Sequence, residues 1–425
     1  MLGLLDQAGY TIVEQVEQAQ VIIVNTCAFI EPAQEEAIDA LLDLAEHKQD
    51  KCRALICAGC LTQRHGTRLL TELPEVDAFV TVGGVPRIVE AVQKALAGER
   101  AFIDAPLSYL YDGSSPRLHT GPKWLAYLKI ADGCGHRCAF CIIPQLRGAY
   151  RSVRPEMVGR QLHELAQSGV LEVLLIAQDT SAYGRELRPE SSLTQLLDHL
   201  RREPYDGWLR LLYLHPATLD EQMIAQMSAG PPVLPYFDIP LQHASRDVLR
   251  AMGRPGDAET YLDLIHKIRR GPEACVRTTF IVGFPGETQR DFETLLQFVA
   301  EAGLDRVSVF RYWPEAGTRA AQMPDQVPIE LADERLDQLM QVQEEISLKI
   351  NQSHVGRQMR VLLESPIERS ELWLGRTFRD APEVDGQIKV TCDTFRDLAR
   401  PGRFVDVEVT AAEVHDLRGR ITSVS

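Results

Sequence analysis

The chain has 425 residues, 45% of them hydrophobic and 25% charged, with a formal net charge of −15. That length exceeds what a single hydrophobic core normally organises and implies two or three domains. The acidic balance excludes a general affinity for nucleic acid, which is driven by neutralising phosphates, and favours basic partners or none. No apolar run approaches the roughly 18 residues needed to span a bilayer. The N-terminus also lacks the basic region and small-residue cleavage site of a signal peptide. Nine cysteines in such a chain point to a reducing, cytoplasmic setting and to metal or catalytic use rather than disulfides.

Residues 1–98 alternate helix and strand. Strands are expected at 21–24, 54–58 and 78–82, with helices at 32–46, 62–70 and 88–96. This rhythm implies a doubly wound parallel α/β sheet, in which ligands bind at the carboxyl ends of the strands. Cys27 and Cys60 fall at two of those ends. They are either metal ligands or small buried hydrophobes, which free cysteines often are. A doubly wound unit should open on a strand, yet this chain opens in mid-helix at residues 1–8. A strand and turn of about 20 residues is therefore expected ahead of Met1, and if that strand also ended in a cysteine, three thiolates would meet at one crevice. Cys52, Cys57, Cys275 and Cys392 have no ligand-like setting and are read as structural.

Residues 99–123 carry turn signals and read as a linker. The strand–helix alternation then restarts, with strands expected at 127–131, 172–177, 209–214, 236–239, 277–282 and 306–310. Six such units make a partial parallel barrel with its active site on the strand C-terminal face. The loop after the first strand holds Cys134, Cys138 and Cys141 at spacing C-x3-C-x2-C. A structural zinc site wants four ligands, whereas three thiolates with no fourth suit a cubane iron–sulfur cluster with one iron left open. Gly133 and Gly135 let the backbone wrap a bulky inorganic group. Other polar loops share that face: Gln178-Asp179-Thr180, His215-Pro216, Gln242-His243 and the turn from Gly283 to Thr288. Thr288 and Asp291 form a potential capping box. His215 and His243 are either satisfied loop histidines or substrate contacts.

A long amphipathic helix over 329–351 leads to a tail of five short strands, the pattern of a small OB-like β-barrel over 352–425. The tail has 11 Arg/Lys against 12 Asp/Glu, so it lacks the basic surface of an RNA module. Its turn at 379–386 is acidic and reads as a solvated loop or as a dock for a basic protein.

The cysteine motif, with Phe140 just before its third cysteine, resembles the radical S-adenosylmethionine (SAM) superfamily. The resemblance implies that Cys134, Cys138 and Cys141 hold a 4Fe–4S cluster whose open iron chelates SAM and cleaves it to a 5′-deoxyadenosyl radical. The whole chain, with an N-terminal α/β domain (1–98), a radical-SAM barrel (124–351) and a TRAM-type barrel (352–425), resembles the methylthiotransferases. That family carries a second 4Fe–4S cluster on three N-terminal cysteines, and Cys27 and Cys60 match the second and third. Phe140, Gln178 and Gly283 are the expected cofactor-binding positions. Three stretches look like the RimO type, which modifies an aspartate of the twelfth small-subunit ribosomal protein. They are Cys141-Ile142-Ile143-Pro144-Gln145-Leu146-Arg147-Gly148, Ala177-Gln178-Asp179-Thr180-Ser181-Ala182-Tyr183-Gly184, and Gly375-Arg376-Thr377 with Asp380–Gly386. One SAM would then donate a methyl group to sulfur and a second would supply the radical, with no acid–base residue required. The implied partners are a basic ribosomal protein and an electron donor, with no membrane and no direct nucleic-acid binding. The alternatives are a tRNA adenosine methylthiotransferase and an iron–sulfur protein that inserts no sulfur.

Overall fold

The computed structural model describes residues 1–271 and 273–424. It divides into two compact units. One comprises Met1–His119, Ala131–Met157 and Trp313–Gln322, and the other Thr120–Ile130, Val158–Tyr312 and the chain from Met323 onward.

In the first unit, strands β1 (Val21–Thr26), β2 (Ala54–Gly59), β3 (Ala78–Val80) and β4 (Ala101–Ile103) form a parallel sheet in that order. Every residue of β2 is buried, as a continuous apolar strand covered on both faces must be. The helix Glu31–Ala45 packs its Ala37 and Leu41 on one face, and the helix Ile88–Leu96 packs Ile88, Ala91, Val92 and Ala95 on the other. Two expectations are corrected. The helix over 62–70 is broken at Gly66 (φ +61°) into Cys60–His65 and Leu69–Glu72. Residues 101–103, read as linker, form β4; three residues are too few to show a period, and the strand is pinned by Arg100, which donates to the carbonyls of Leu70, Leu73 and Val76.

The second unit opens with β5 (Leu125–Lys129), while β6 (Ala131–Asp132) and β7 (Arg151–Ser152) pair antiparallel in the first. β5, β8 (Glu172–Ile176) and β9 (Trp208–Leu211) form one parallel sheet; β10 (Tyr236–Asp238), β11 (Cys275–Val282) and β12 (Arg306–Arg311) form another. A bridge between Leu209 and Val233 links them, which gives the six-stranded partial barrel. The tail strands β13 (Gln358–Pro366), β14 (Leu372–Arg376), β15 (Ile388–Thr391), β16 (Arg403–Ala412) and β17 (Leu417–Val424) close into a barrel in the order β13-β14-β15-β17-β16. Only β15 and β17 pair in parallel.

The tail barrel seats on the N-terminal ends of the partial-barrel strands through buried ion pairs. Glu172, at the start of β8, lies 2.7 Å from Arg210 Nε and 2.6 Å from Arg376 Nη1. Arg306, at the start of β12, meets Asp380 at 2.6 Å, and Asp305 meets both Arg269 and Arg379. Arg277 meets Asp238 at 2.9 Å and Asp385 at 3.3 Å, while Tyr236 Oη donates to Asp385. The turn at 379–386 is therefore only partly a solvated loop: Glu383 and Val384 at its tip are exposed, whereas Arg379, Asp380 and Ala381 are buried and Asp380 and Asp385 neutralise barrel arginines. Its acidic composition is explained from inside the fold, because charges are buried only when paired. The helix Ile329–Gln352 ties to the same region through polar side chains, with Gln343, Ser347 and Asn351 donating to the carbonyls of Leu304, Val414 and Glu413.

Candidate functional site

The parallel register of β1 and β2 pairs Thr26 with Gly59, so the next residues, Cys27 and Cys60, stand side by side at the carboxyl edge. Gly59 is required there. Its φ is +107°, and a Cβ would lie 2.9 Å from the Thr26 carbonyl oxygen and 3.1 Å from Asn25 Oδ1. Thr26 locks the edge by donating its hydroxyl to Ala58 O (2.8 Å) and accepting from Leu61 N (3.2 Å). Cys27 is exposed and Cys60 buried. Burial pushes the Cys60 thiol up, opposed by the Arg147 guanidinium, which donates from Nη2 to Cys60 Sγ at 3.3 Å; the neighbouring Cys27 pushes it up further.

The loop after β6 belongs to the same unit. Buried Asp132 accepts from Gly133 N at 3.0 Å, and Cys134 N donates to Gly148 O at 3.3 Å. Cys141 N closes a turn on Cys138 O at 3.2 Å, with Phe140 half-buried between them. Gly133 (φ +84°) is the cradle residue, since a Cβ would sit 2.2 Å from Ala149 O. After the loop, Ile142 and Leu146 sink into the core beside Cys57 and Leu61, and the short helix Ile143–Arg147 ends with Arg147 aimed at Cys60. The segment Trp313–Gln322 closes over this arrangement. Ala320 N donates to Ala139 O, Gln145 Nε2 to Gly317 O, and Arg64 pairs with Glu315 while donating to Ala28 O.

The donor chemistry fits an iron–sulfur cluster. Cys134, Cys138 and Cys141 are half-buried thiols on one glycine-hinged loop. Among the described residues no three His, Cys, Asp or Glu converge tightly enough to hold a single ion.

The other expected site residues lie in the second unit. Gln178 is half-buried just past β8, and its buried Oε1 has no hydrogen-bond partner among the described residues. Gly283 (φ +74°) follows β11, and a Cβ there would meet Ala332 Cβ at 2.5 Å, so packing of the helix Ile329–Gln352 already demands glycine. His215 is a buried cap whose Nδ1 accepts from Ala217 N at 3.3 Å. His243 is fully buried, accepts from Ser245 N at 2.9 Å, and is held down to about 3 by burial. The other ring nitrogen of His243, Nε2, is buried without a hydrogen-bond partner among the described residues and lies 3.9 Å from Glu287 Oε2. Thr288 and Asp291 make the expected capping box. Glu287, buried against Arg335 at 2.9 Å and accepting from Phe284 N at 3.1 Å, is pushed up to about 7 by burial. Sequence reasoning missed Arg147, Arg64–Glu315 and Glu287–Arg335, because partners 48 to 251 positions apart leave no local pattern. Cys52, Cys57, Cys275 and Cys392 are all buried, and Thr62 donates its hydroxyl to Cys57 Sγ at 3.4 Å.

Comparison with known proteins agrees with this layout. Residues 128–299 match the Radical SAM superfamily, 1–81 the Uncharacterized protein family UPF0004, and 355–422 the TRAM domain. The chain is 44% identical to the ribosomal protein uS12 methylthiotransferase RimO of Desulforamulus reducens, over 99% of this chain and 95% of that protein. It is 42% identical to the RimO of Symbiobacterium thermophilum, over 99% and 87%. Among solved structures, the radical SAM methyltransferase TsrM of Kitasatospora setae shares the fold at a TM-score of 0.56 and 13% identity, over 84% of this chain and 71% of that one. Identity at this level along nearly the full length of both partners means that the chain belongs to the family of ribosomal protein uS12 methylthiotransferase RimO.

Proposed function

We propose that the protein is a radical SAM methylthiotransferase that adds a methylthio group to the β-carbon of an aspartate in ribosomal protein uS12. The observation that carries this reading is that two thiols from the sheet edge, Cys27 and Cys60, and three from the loop, Cys134, Cys138 and Cys141, belong to one compact unit. Cys134, Cys138 and Cys141 hold the SAM-binding 4Fe–4S cluster; Cys27 and Cys60 are two ligands of an auxiliary 4Fe–4S cluster. When bound, these groups supply the 5′-deoxyadenosyl radical and the sulfur, chemistry that no side chain provides. The chain's own contribution is geometric. Gly133 lets the loop wrap its cluster, Gly59 brings the two strand ends together, and Arg64 with Glu315 closes the segment Trp313–Gln322 over the site.

Phe140, Gln178 and Gly283 are the SAM-side positions in this reading, with Gln178 contributing a buried amide oxygen that has no hydrogen-bond partner among the described residues. The substrate is a basic protein, complementary in sign to a chain of net charge −15. No helix among the described residues is long and apolar enough to cross a membrane. A cytoplasmic location belongs to the proposal, as does an external electron donor.

Anaerobic reconstitution with iron and sulfide tests the reading. About eight irons per chain are expected for two clusters and about four for one. With SAM and reductant, uS12 should gain the mass of a methylthio group, and alanine at Cys134, Cys138 or Cys141 should abolish SAM cleavage. Modification of tRNA in place of uS12, or turnover that survives those substitutions, refutes it.

A further inference from the structure

We propose that the inside of the partial barrel reads a cationic side chain of the substrate protein, stacked on the rings of Tyr127 and Tyr213 and paired with Glu383. The inference rests on the reading that the substrate is ribosomal protein uS12, and it names the chemistry by which the barrel recognises that protein.

A parallel barrel normally fills its interior with side chains. This one leaves rings uncovered. On β5, Ala126 and Leu128 are buried, while Tyr127 between them stands on the opposite face and is 39% exposed. Past the end of β9, Tyr213 is 47% exposed between the buried Leu212 and Leu214. Its φ is +63°, a disfavoured conformation for a bulky residue. The surroundings hold it there: Tyr213 N donates to Asp238 Oδ2 at 2.9 Å, and Tyr213 O accepts from Thr180 N at 2.9 Å. The strand register brings the rings to one place, since Tyr127 pairs with Leu174 and Leu174 with Arg210, three residues before Tyr213. Uncovered aromatic surface beside a strained backbone marks a surface kept for a ligand.

The charges around the rings fix the sign of that ligand. Arg277 is already matched, lying 2.9 Å from Asp238 and 3.3 Å from Asp385. Arg376 is matched by Glu172 and Glu364. Glu383, two residues before Asp385 on the exposed tip of the turn, makes no ion pair among the described residues and is itself held at φ +69°. Burial first, and then the Glu383 carboxylate, push the Tyr127 phenol up, and Tyr213 adds to the effect, so all three groups lie within electrostatic reach of one another. Lys129, on the same face of β5, carries the like charge, so the cation is taken at the level of Tyr127 or below. An ammonium or guanidinium over a tyrosine ring, beside a carboxylate, completes this set.

The test reads association alone, on the full chain as purified, through the fluorescence anisotropy of dye-labelled uS12. Glu383→Gln and Tyr127→Leu should each raise Kd about 3- to 10-fold, whereas Tyr127→Phe keeps the ring and should stay within about twofold. Both exchanged side chains are exposed, and an unchanged urea midpoint shows that the fold is kept. Each lysine and arginine of uS12 near the modified aspartate is then replaced in turn by glutamine. For one of them the loss should cease to add to that of Glu383→Gln. An unchanged Kd in Glu383→Gln or in Tyr127→Leu, or losses that add for every uS12 cation, overturns the inference while leaving uS12 as the substrate. A parent chain that does not bind uS12 overturns the substrate reading, and this inference with it.

Discussion

The seat of the tail barrel makes a strong quantitative prediction. Glu172 is fully buried and serves two buried guanidiniums: Oε1 accepts from Arg210 Nε at 2.7 Å, and Oε2 lies 2.6 Å from Arg376 Nη1 in an ionic contact that lacks hydrogen-bond alignment. Glu172→Gln keeps the volume and one acceptor but removes the charge. Arg376 retains Glu364 at 2.8 Å, whereas Arg210 loses its carboxylate and keeps neutral partners: the amide oxygen, the carbonyls of Phe378 (2.7 Å) and Thr377 (3.4 Å), and the Tyr236 ring at 4.5 Å. Stranding a buried charge in this way costs about 3–5 kcal/mol. Against the roughly 5–15 kcal/mol that holds a domain folded, that is a large fraction. Urea unfolding followed through Trp208 fluorescence reads it, because the Trp208 ring packs 4.8 Å from Phe404 of the tail barrel. The midpoint should fall with little change in slope. Replacing Glu172, Arg210 and Arg376 together by methionine should recover most of the loss, since apolar replacement of a buried ion group is often neutral or stabilising. A shift below about 1 kcal/mol in Glu172→Gln, the worth of an exposed pair, would refute the buried seat.

Three further outcomes are expected. Gly133→Ala drives a Cβ to within 2.2 Å of Ala149 O at φ +84°, so iron bound by the cysteine loop should fall sharply while the Trp208-reported unfolding midpoint stays put. Gly283→Ala should cost about 1–3 kcal/mol, and adding Ala332→Gly should recover the steric part but not the part due to φ +74°. The last outcome concerns acid. His243, depressed to about 3 from 6.5, loses stability as pH falls from 6.5 towards 3, because the unfolded chain takes up the proton first. Glu287, raised to about 7 from 4.5, gains stability as pH falls over 7 to 4.5, because the folded chain protonates first. The two slopes oppose one another between pH 4.5 and 6.5, so the His243 loss should emerge below pH 4.5 at up to about 1.4 kcal/mol per pH unit. Comparison of His243→Gln with the parent by urea titration across that range isolates it, and parallel curves refute the assignment.

What could be read from the sequence was whatever repeats at short range. The alternation of apolar runs and amphipathic segments gave β1, β2, β3 and the six barrel strands, and the C-x3-C-x2-C spacing needs no fold to be recognised. Glycine punctuation in the tail gave five strands, although not that β15 and β17 pair in parallel. The failures share a cause. The turn at 379–386 looked solvent-facing because Asp380, Glu383 and Asp385 are charged, and only the arginines of β11 and β12 explain why two of them are buried. Gly283 could be read as a turn glycine, but not that a Cβ there would also meet Ala332, 49 residues on. Cys27 and Cys60 could be placed at strand ends, but their adjacency depends on the Thr26–Gly59 register. Arg147 was quoted as part of a motif without a role, since its partner stands 87 positions away.

The acidic turn has a consequence for how the polypeptide comes off the ribosome. Glu172, Arg277 and Arg306 are synthesised well before their tail-barrel partners Arg376, Asp385 and Asp380. At about 5–20 residues per second, the nascent barrel waits several seconds for these partners, with Glu172 held by Arg210 and Arg277 by Asp238 in the meantime. The rim of the partial barrel is therefore completed only when residues 376–385 have emerged, and a chain stopped before them has no base beneath its strands.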